Sequence, residues 1–206
     1  MLSIDNDGVI RDARIKVELI PQISHGPLTL IDAIVVHQTD SSTAKGTLAG
    51  YRTGAKGTGA HLLIDKDGTL YQTVSFHQKC WHVGPILSRC YQKHSCVPKD
   101  EEYYHSLTKI TGGINGSYAR AMDKREETKK YPDRYPSNSD SIGIEIVGRS
   151  LDSFGNHYES PTTQQQQSLH WLIEGLLDSL HLQRTDIYRH PQISRKGAGE
   201  AADATW

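Results

Sequence analysis

Apolar runs and alternating patterns along the chain predict its strands. Residues 33–37 comprise four apolar residues, three of them β-branched, followed by His37 and a polar turn. A short apolar run of this kind is typical of a buried strand. In the stretch 141–147 isoleucine occupies alternate positions, which places Gly143 and Glu145 together on the opposite face of a second strand. We therefore expect two strands that each present a polar side chain.

Two further patterns predict a hairpin and a long helix. The β-rich segments 61–64 and 69–74 flank the Asp67-Gly68 pair, which favours a tight hairpin. Either Thr162 or Thr163 can cap the start of a helix, because a threonine side chain accepts hydrogen bonds from the first turn. The apolar residues that follow recur at helical spacing and predict a core-packed stripe: Leu169, Leu172, Ile173, Leu176, Leu177 and Leu180.

The segments outside these elements are less regular. Ser41 and Ser42 offer caps for a short helix, which glycines limit near Arg52. Residues 1–31 are interrupted by prolines and glycine, and they predict an N-terminal arm that wraps over the domain without forming a helix. Residues 85–140 lose clear periodicity and are rich in tyrosine and charge. We expect a solvated insertion with one helix there; a substrate-covering lid is the alternative.

The composition fits one globular domain. The chain has 206 residues, of which 36% are hydrophobic and 23% charged, and it can bury one sizeable core. Strands interspersed with helices and a hairpin predict an α/β fold, with a mixed central sheet flanked by helices in a single domain over 32–206. A net charge of −1 and a pI near 6.8 argue against a broadly basic nucleic-acid surface. No apolar run approaches the roughly 20 residues of a membrane span.

The N-terminus and the cysteines bear on the compartment. Acidic residues stand at the N-terminus where a secretory signal would be basic, and no apolar segment follows, so we expect no Sec export. The three cysteines are too few for a disulfide scaffold and lack the CxxC spacing of a metal site. We take three free thiols as the default, with a bridge between Cys90 and Cys96 as the alternative in an oxidising compartment.

Two histidines stand where predicted strands end. Residues 187–189 lead to His190 near the C-terminus in the same way that the first apolar run leads to His37. A lone histidine after a strand is more often a hydrogen-bonded structural residue than a ligand. Two such histidines in one chain suggest a metal site, because neutral imidazole is the commonest metal ligand.

The segment after His190 supplies further groups for such a site. It contains Lys196 and two carboxylates, Glu200 and Asp203. Catalytic zinc typically takes three protein ligands and leaves a fourth position for water, so the two histidines and one of these carboxylates would suffice. Glu145 could then serve as a general base, and Lys196 could stabilise an oxyanion.

Five motifs follow one another along residues 33–203. They are Val35-Val36-His37-Gln38-Thr39, the stretch from Gly59 to Gln72, Trp81-His82-Val83-Gly84, Ser141-Ile142-Gly143-Ile144-Glu145, and His190 with Lys196. In this order the chain resembles the type 2 N-acetylmuramoyl-L-alanine amidases, a superfamily that includes peptidoglycan recognition proteins and phage lytic amidases. The resemblance implies one zinc ion in a surface groove. It also implies hydrolysis of the amide that joins N-acetylmuramic acid to L-alanine of the peptidoglycan stem.

The resemblance assigns roles to individual residues. His37 and His190 match the family's zinc histidines. Glu145 matches the glutamate of its strand motif, which implies a general base, and Lys196 matches the lysine after the second histidine. The third ligand departs from the pattern, because Ala198 stands where the family usually has Asp or Cys.

Two carboxylates near Ala198 are candidates for this third ligand. Glu200 lies ten residues after His190, and Asp203 lies thirteen after it. An interval of ten matches a familiar histidine-to-aspartate spacing in the family. We therefore favour Glu200 and keep Asp203 as the alternative.

His61, Trp81 and His82 are candidates for substrate contact. His61 begins a hairpin strand and could line the groove. His82 beside Trp81 suits contact with a sugar or a peptide. For each histidine, a purely structural role is the alternative.

Two other classes of function remain open at this point. A module that binds peptidoglycan without cutting it is consistent with Ala198, because some recognition proteins of the superfamily lack the third ligand. A thiol hydrolase using Cys80 with His82 is the third class. It is disfavoured because the sequence shows neither a glycine elbow nor an oxyanion loop.

The whole pattern also resembles bacterial contact-dependent amidase effectors. We expect the protein to be made in the cytoplasm and to act on the cell wall in the periplasm, after delivery by a secretion system or release by phage-type lysis. The long insertion and the N-terminal arm favour an antibacterial effector or a lysin over a recycling enzyme. An immunity protein would be the partner of such an effector.

Overall fold

A mixed six-stranded β-sheet forms the centre of the protein, in a computed structural model that describes residues 2–206. Met1, the first residue of the predicted arm, lies outside this range. The strands are β1 (Ile15–Val17), β2 (Ala33–Gln38), β3 (Leu62–Ile64), β4 (Leu70–Gln72), β5 (Ser141–Ile146) and β6 (Ile187–Arg189). They are ordered β1-β4-β3-β5-β2-β6, and the β3–β4 pair is antiparallel whereas the other pairs are parallel.

Helices flank the sheet within the described residues. They are α1 (Ala44–Thr53), α2 (Arg89–Gln92), α3 (Pro98–Thr111), α4 (Gly116–Glu126), α5 (Thr163–Leu180) and α6 (His190–Ile193). Two short 3₁₀ helices, Pro21–Ile23 and Arg184–Asp186, complete the regular structure. The predicted α/β fold, a single domain with a mixed central sheet and flanking helices, is confirmed.

Strands β2 and β5 are parallel neighbours in the middle of the sheet. Their register places His37 opposite Glu145 and Val35 opposite Gly143. Because side chains alternate along a strand, the isoleucines of β5 face the other side, where they are completely buried. The sheet therefore has one apolar face and one face from which His37 and Glu145 project, as the alternation predicts.

Helix α5 packs against the apolar face of the sheet. Four of its side chains are buried in the same cluster as the isoleucines of β5: Leu169, Leu172, Ile173 and Leu176. The Thr162 hydroxyl accepts a hydrogen bond from the Gln165 N–H, and the Gln165 side chain accepts one from the Thr162 N–H. This capping box assigns the cap to Thr162 rather than Thr163. None of the described helices, α5 included, is long and apolar enough to cross a membrane.

The hairpin and the first helix form where the sequence predicts them. Strands β3 and β4 pair antiparallel, and Gly68 in the turn between them has a φ of 84°, a conformation that glycine adopts readily. Helix α1 is capped by Thr43, whose side chain accepts a hydrogen bond from the N–H of Gly46. The cap is therefore Thr43, one residue after Ser42, and neither of the two predicted serines.

The N-terminal segment contributes to both the sheet and the core. Strand β1 pairs with β4 at the edge of the sheet. Leu2 packs so closely on α5 that a Cβ added to Gly175 would lie 2.5 Å from Leu2 Cγ. The N–H of Ile10 donates a hydrogen bond of 2.8 Å to the Gln72 side chain. The sequence does not predict β1, because Ile15–Val17 is too short to produce a recognisable period.

The insertion over 85–140 contains three helices, α2, α3 and α4, where the sequence predicts one. Helices α3 and α4 share a small core formed by Tyr104, Leu107 and Met122. Each of these two helices buries only three residues, so neither carries a wide apolar stripe. A disulfide joins Cys90 to Cys96, and Cys80 is a free, buried thiol. The expectation of three free thiols is therefore wrong.

Removing the cap of α5 should destabilise the fold. We expect Thr162→Ala to lower the free energy of unfolding by at least about 1 kcal/mol, because the Gln165 N–H loses its acceptor and the Lys66 carbonyl loses the hydroxyl that donates to it. The exposed Thr163 provides a matched control, since Thr163→Ala leaves the capping box intact. Urea denaturation followed by circular dichroism measures both variants. Equal losses in the two would contradict the assignment of the cap to Thr162.

Candidate metal centre and active site

A groove opens on the face of the sheet from which His37 and Glu145 project. Its volume is ≈ 680 Å³, within the range of about 300–1,000 Å³ typical of ligand sites. Residues from distant parts of the chain line it, including α1, the glycine-rich segment 54–59, residues 81–84, and His190, Lys196 and Glu200 near the C-terminus.

Three buried side chains converge in this groove. The Nδ1 atoms of His37 and His190 are 2.9 Å apart. Glu200 Oε1 lies 3.0 Å from Nδ1 of His190 and 3.3 Å from Nδ1 of His37. The three residues are only 2%, 2% and 5% exposed, in the order His37, His190 and Glu200. Strand β2, the first residue of α6 and the C-terminal turn thus bring two histidines and one carboxylate together.

The geometry and chemistry of this group suit zinc. Zinc is bound by histidine nitrogen and carboxylate oxygen at about 2.0–2.2 Å, so the ligand atoms of a tetrahedral site are about 3.3 Å apart. The three measured separations, 2.9, 3.0 and 3.3 Å, are close to that spacing. Two nitrogens and one oxygen are also the donor set of many catalytic zinc sites, which leave a fourth position open.

The charges of the group suit a cation as well. Burial, together with the neighbouring His190, lowers the pKa of His37 to about 4, so this imidazole is neutral at pH 7. Burial alone would raise the pKa of Glu200, but its hydrogen bonds with His190 and His37 outweigh that effect and hold the pKa below its usual range. A neutral imidazole and an ionised carboxylate are the protonation states that metal binding requires.

Glu145 and Lys196 border the same group. Glu145 lies opposite His37 in the sheet, and its Oε2 atom is buried without a hydrogen-bond partner among residues 2–206. Burial, followed by the negative charge of Glu200, raises the pKa of Glu145 to about 8, and the positive charge of Lys196 acts in the opposite direction. A carboxylate that titrates near neutral pH can both accept and release a proton.

Two glycines let the segment that carries Glu200 pack tightly against a neighbouring loop. A Cβ on Gly197 would lie 2.2 Å from the carbonyl oxygen of Gly155, and a Cβ on Gly199 would lie 2.3 Å from that of Asn156. The N–H of Gly199 donates a hydrogen bond of 3.1 Å to the Gly155 carbonyl. This close approach folds the chain back so that Glu200 reaches the two histidines.

Neither Ala198 nor Asp203 belongs to the group formed by the two histidines and Glu200. Ala198, which stands where the sequence resemblance implies a ligand, is exposed. Asp203 is also exposed, and its Oδ2 accepts a hydrogen bond of 2.6 Å from the Ser160 hydroxyl. Of the two candidate carboxylates, the structure places Glu200 beside the histidines and Asp203 at the surface.

Trp81 lines the groove and is 49% exposed. One face of its ring stacks on His25, with ring centroids 3.6 Å apart and an angle of 10° between the planes. His25 belongs to the N-terminal segment, in which the sequence predicts no site residue. The indole is thereby held in place and remains available for contact with a ligand.

His61 does not line the groove. Its side chain is fully buried, its Nδ1 accepts a hydrogen bond from the N–H of Gly143, and its Nε2 is 3.0 Å from the carbonyl oxygen of Gln78. Burial lowers the pKa of His61 to about 4, so the ring is neutral at pH 7. His61 therefore cannot make the substrate contact expected from the sequence. Its position fits the structural role that was the alternative.

His82 borders the groove but is only 8% exposed, and its Nδ1 is 3.1 Å from Nε2 of His37. Its main contacts are therefore with the protein rather than with a substrate. Cys80 is fully buried, and burial raises the pKa of its thiol. A thiol nucleophile needs a lowered pKa and access to the substrate, and the fully buried Cys80 has neither, which argues against a hydrolase based on Cys80 and His82.

Two tyrosines of the groove are not identified by the sequence. Tyr51 comes from the last turns of α1, and Tyr158 comes from the loop that precedes α5. Burial raises the pKa of Tyr158 to about 12, so it is a neutral hydrogen-bonding group at pH 7. No sequence motif marks either residue, so their place in the groove is visible only in the folded structure.

Known proteins share the sequence pattern and the fold. Residues 27–203 match the family model described as N-acetylmuramoyl-L-alanine amidase. A selenomethionine derivative of AmpD has a similar structure, with a TM-score of 0.53, 18% identity, and coverage of 92% of this chain and 87% of that one. A comparison with curated protein sequences finds no match.

Two further solved structures are similar. A mutant endolysin from Bacillus subtilis has a TM-score of 0.51 and 18% identity, covering 86% of this chain and 84% of that one. The catalytic domain of XlyA also has a TM-score of 0.51 and 18% identity, and the match covers 88% of this chain and 87% of that one. At these identities the likeness concerns the fold alone.

The unusual pKa of Glu145 predicts how the metal-free protein responds to pH. Its folded-state pKa is about 8 and its ordinary value is 4.5, so between these values the folded protein keeps a proton that the unfolded chain releases. The contribution of Glu145 to stability therefore falls as pH rises through this window. The buried His37 and His61, whose pKa values are lowered to about 4, act in the opposite direction near pH 6.5. We therefore expect the chelator-treated wild type to lose stability relative to Glu145→Gln as pH rises from 6.5 to 8.

Chemical denaturation at the two pH values, in excess chelator, measures this effect. Glu102→Gln removes an exposed carboxylate in the insertion and serves as the matched control. The same change of stability with pH in Glu145→Gln as in the wild type would show that Glu145 is not responsible.

Proposed function

The chain belongs to the N-acetylmuramoyl-L-alanine amidase family, and from this premise we propose that it cleaves peptidoglycan with one zinc ion held by His37, His190 and Glu200. The bond cleaved is the amide between the lactyl group of N-acetylmuramic acid and L-alanine. The convergence of two imidazole nitrogens and one carboxylate oxygen, beside Glu145 in an open groove, is the observation that carries this proposal.

The reaction consumes one water molecule. The water oxygen bonds to the lactyl carbonyl carbon, the carbon–nitrogen bond breaks, and the products are a lactyl carboxylate and a free L-alanine amine. When bound, zinc supplies positive charge that polarises the carbonyl and makes water more acidic. Glu145 accepts a proton from the attacking water and donates it to the leaving amine. Lys196 stabilises the oxygen on which negative charge develops.

The groove supports a large polar substrate. Its open shape and its lining of exposed and buried polar groups suit a glycan with an attached peptide. Trp81, supported by His25, offers a flat aromatic surface that can pack on a sugar ring or on a peptide side chain. We assign Trp81 to substrate contact on this basis.

A peptidoglycan-binding module without activity is the alternative that Ala198 suggests. The position of Glu200 argues against it, because its carboxylate lies beside both histidines and can take the place of the ligand that Ala198 lacks. The raised pKa of Glu145 is also more useful to an enzyme than to a binding protein, which needs no proton acceptor.

The biological role that we propose is an antibacterial effector or a lysin rather than a recycling enzyme. The N-terminal arm over 1–31 and the insertion over 85–140 are more than a minimal amidase needs. The disulfide between Cys90 and Cys96 supports action in an oxidising compartment such as the periplasm, because thiols stay reduced in the cytoplasm. A producing cell would then need an immunity protein for its own cell wall.

Zinc retention tests the third ligand. Protein purified without chelator should hold close to one zinc per chain, and His37→Ala or His190→Ala should abolish this content. We expect Glu200→Ala to lose zinc faster than the wild type during dialysis against a mild chelator, because an ionised ligand is removed. Asp203→Ala is the matched control and should retain zinc. The reverse order would transfer the ligand role to Asp203.

Digestion of purified peptidoglycan tests the reaction and the base together. Mass spectrometry should detect new L-alanine amino termini and intact glycan strands. Glu145→Gln should keep its zinc but reduce turnover by roughly 10²-fold or more, because general-base catalysis is lost. Unchanged turnover would remove Glu145 from the mechanism, and binding without any release of peptide by the wild type would support the binding module instead.

A further inference from the structure

A chain of hydrogen bonds runs from His37 into the protein. Nε2 of His37 is 3.1 Å from Nδ1 of His82. Nε2 of His82 is 3.3 Å from the Ser141 carbonyl oxygen and 3.4 Å from the Ser141 hydroxyl. The Ser141 hydroxyl in turn donates a hydrogen bond of 2.6 Å to the Ser137 carbonyl oxygen. All of these contacts lie on the side of His37 that faces away from His190 and Glu200.

The carbonyl end of this chain fixes the direction of every hydrogen bond in it. The Ser141 hydroxyl has one proton, which it gives to the Ser137 carbonyl, so it can only accept from His82. The Ser141 carbonyl can also only accept. Nε2 of His82 must therefore carry the proton, which leaves Nδ1 of His82 as an acceptor in the neutral ring. The matching donor is the Nε2–H of His37.

We propose that His82 is a positioning residue that holds His37 in its Nε2–H tautomer and so keeps Nδ1 of His37 free to bind zinc. This inference rests on the proposed function, since it concerns how a zinc ligand is prepared. Nδ1 of His37 is the atom that lies 2.9 Å from His190 and 3.3 Å from Glu200. A ligand histidine commonly donates its second N–H to a fixed acceptor, and this contact sets its tautomer and ring orientation.

Gly143 makes room for His82. A Cβ at this position would lie 2.8 Å from Cγ and 2.9 Å from Nδ1 of His82. The ring therefore rests directly on the backbone of β5, next to the strand that carries His37. The His82 and His37 rings meet edge to face, with centroids 5.2 Å apart and an angle of 88° between the planes. This packing holds the acceptor nitrogen in line with Nε2 of His37.

The two amide substitutions of His82 test the proposal. Asparagine can place an oxygen near the position of Nδ1 and can still accept from His37, whereas glutamine can place its amide only near the position of Nε2. We expect His82→Gln to weaken zinc binding by about 10- to 100-fold, as is usual when such a supporting contact is lost. His82→Asn should stay close to the wild type. His170→Gln, on the exposed surface of α5, is the matched control.

A direct readout of the tautomer separates this role from a general loss of structure. Long-range ¹H–¹⁵N NMR of the chelator-treated protein distinguishes a protonated Nε2 from a protonated Nδ1 in His37. We expect Nε2–H in the wild type and in His82→Asn, and a mixture of tautomers in His82→Gln. Zinc competition with a chromogenic chelator then gives the affinities of the same three proteins.

Each outcome of these measurements decides the proposal. Protonated Nδ1 in wild-type His37, or equal zinc affinity of His82→Gln and His82→Asn, would overturn it. The NMR result on metal-free protein is independent of metal binding. A wild type that binds no zinc but shows His37 as the Nε2–H tautomer would therefore overturn the proposed function while leaving the role of His82 as its acceptor in place.

Discussion

The parallel pairing of β2 with β5 is the constraint on which the candidate active site depends. It sets His37 opposite Glu145, and both project into the groove only because the isoleucines of β5 occupy the other face. A slip of one residue would turn the polar groups into the core and the isoleucines into the groove. Burial of the apolar face against α5 opposes that slip. Hydrophobic burial on one side of the sheet thus fixes the chemistry on the other.

Close contacts at three glycines complete the site around these two strands. Gly143 lets the ring of His82 lie on β5, and Gly197 and Gly199 let the C-terminal segment pack on the neighbouring loop. At each place a Cβ would lie closer than 3 Å to another atom. The glycines therefore act by the space they leave, and the segment carrying Glu200 can turn back towards the histidines for this reason.

The site also concentrates polar groups that the fold alone would not favour. Glu145 Oε2 and His190 Nε2 are buried without a hydrogen-bond partner among the described residues. Burying such atoms unpaired is destabilising, and most proteins avoid it. Both residues line the groove. The open Glu145 Oε2 remains available for a proton or a ligand, and functional sites are where proteins tolerate such a cost. The apolar cluster beneath α5 supplies the stability that offsets it.

The central strands, the hairpin and the long helix follow from local sequence patterns, because each depends on a local period or a turn signal that needs no distant partner. The same patterns identify His37 and His190 by their positions at the ends of predicted strands. The choice between Glu200 and Asp203 depends on how two loops pack, so it becomes visible only in the folded protein. The separation of the fully buried His61 from the groove likewise depends on the packing of the whole domain. Local sequence patterns reveal the periodicity of strands and helices. The candidate metal ligands come from distant parts of the chain, and only folding brings them into contact.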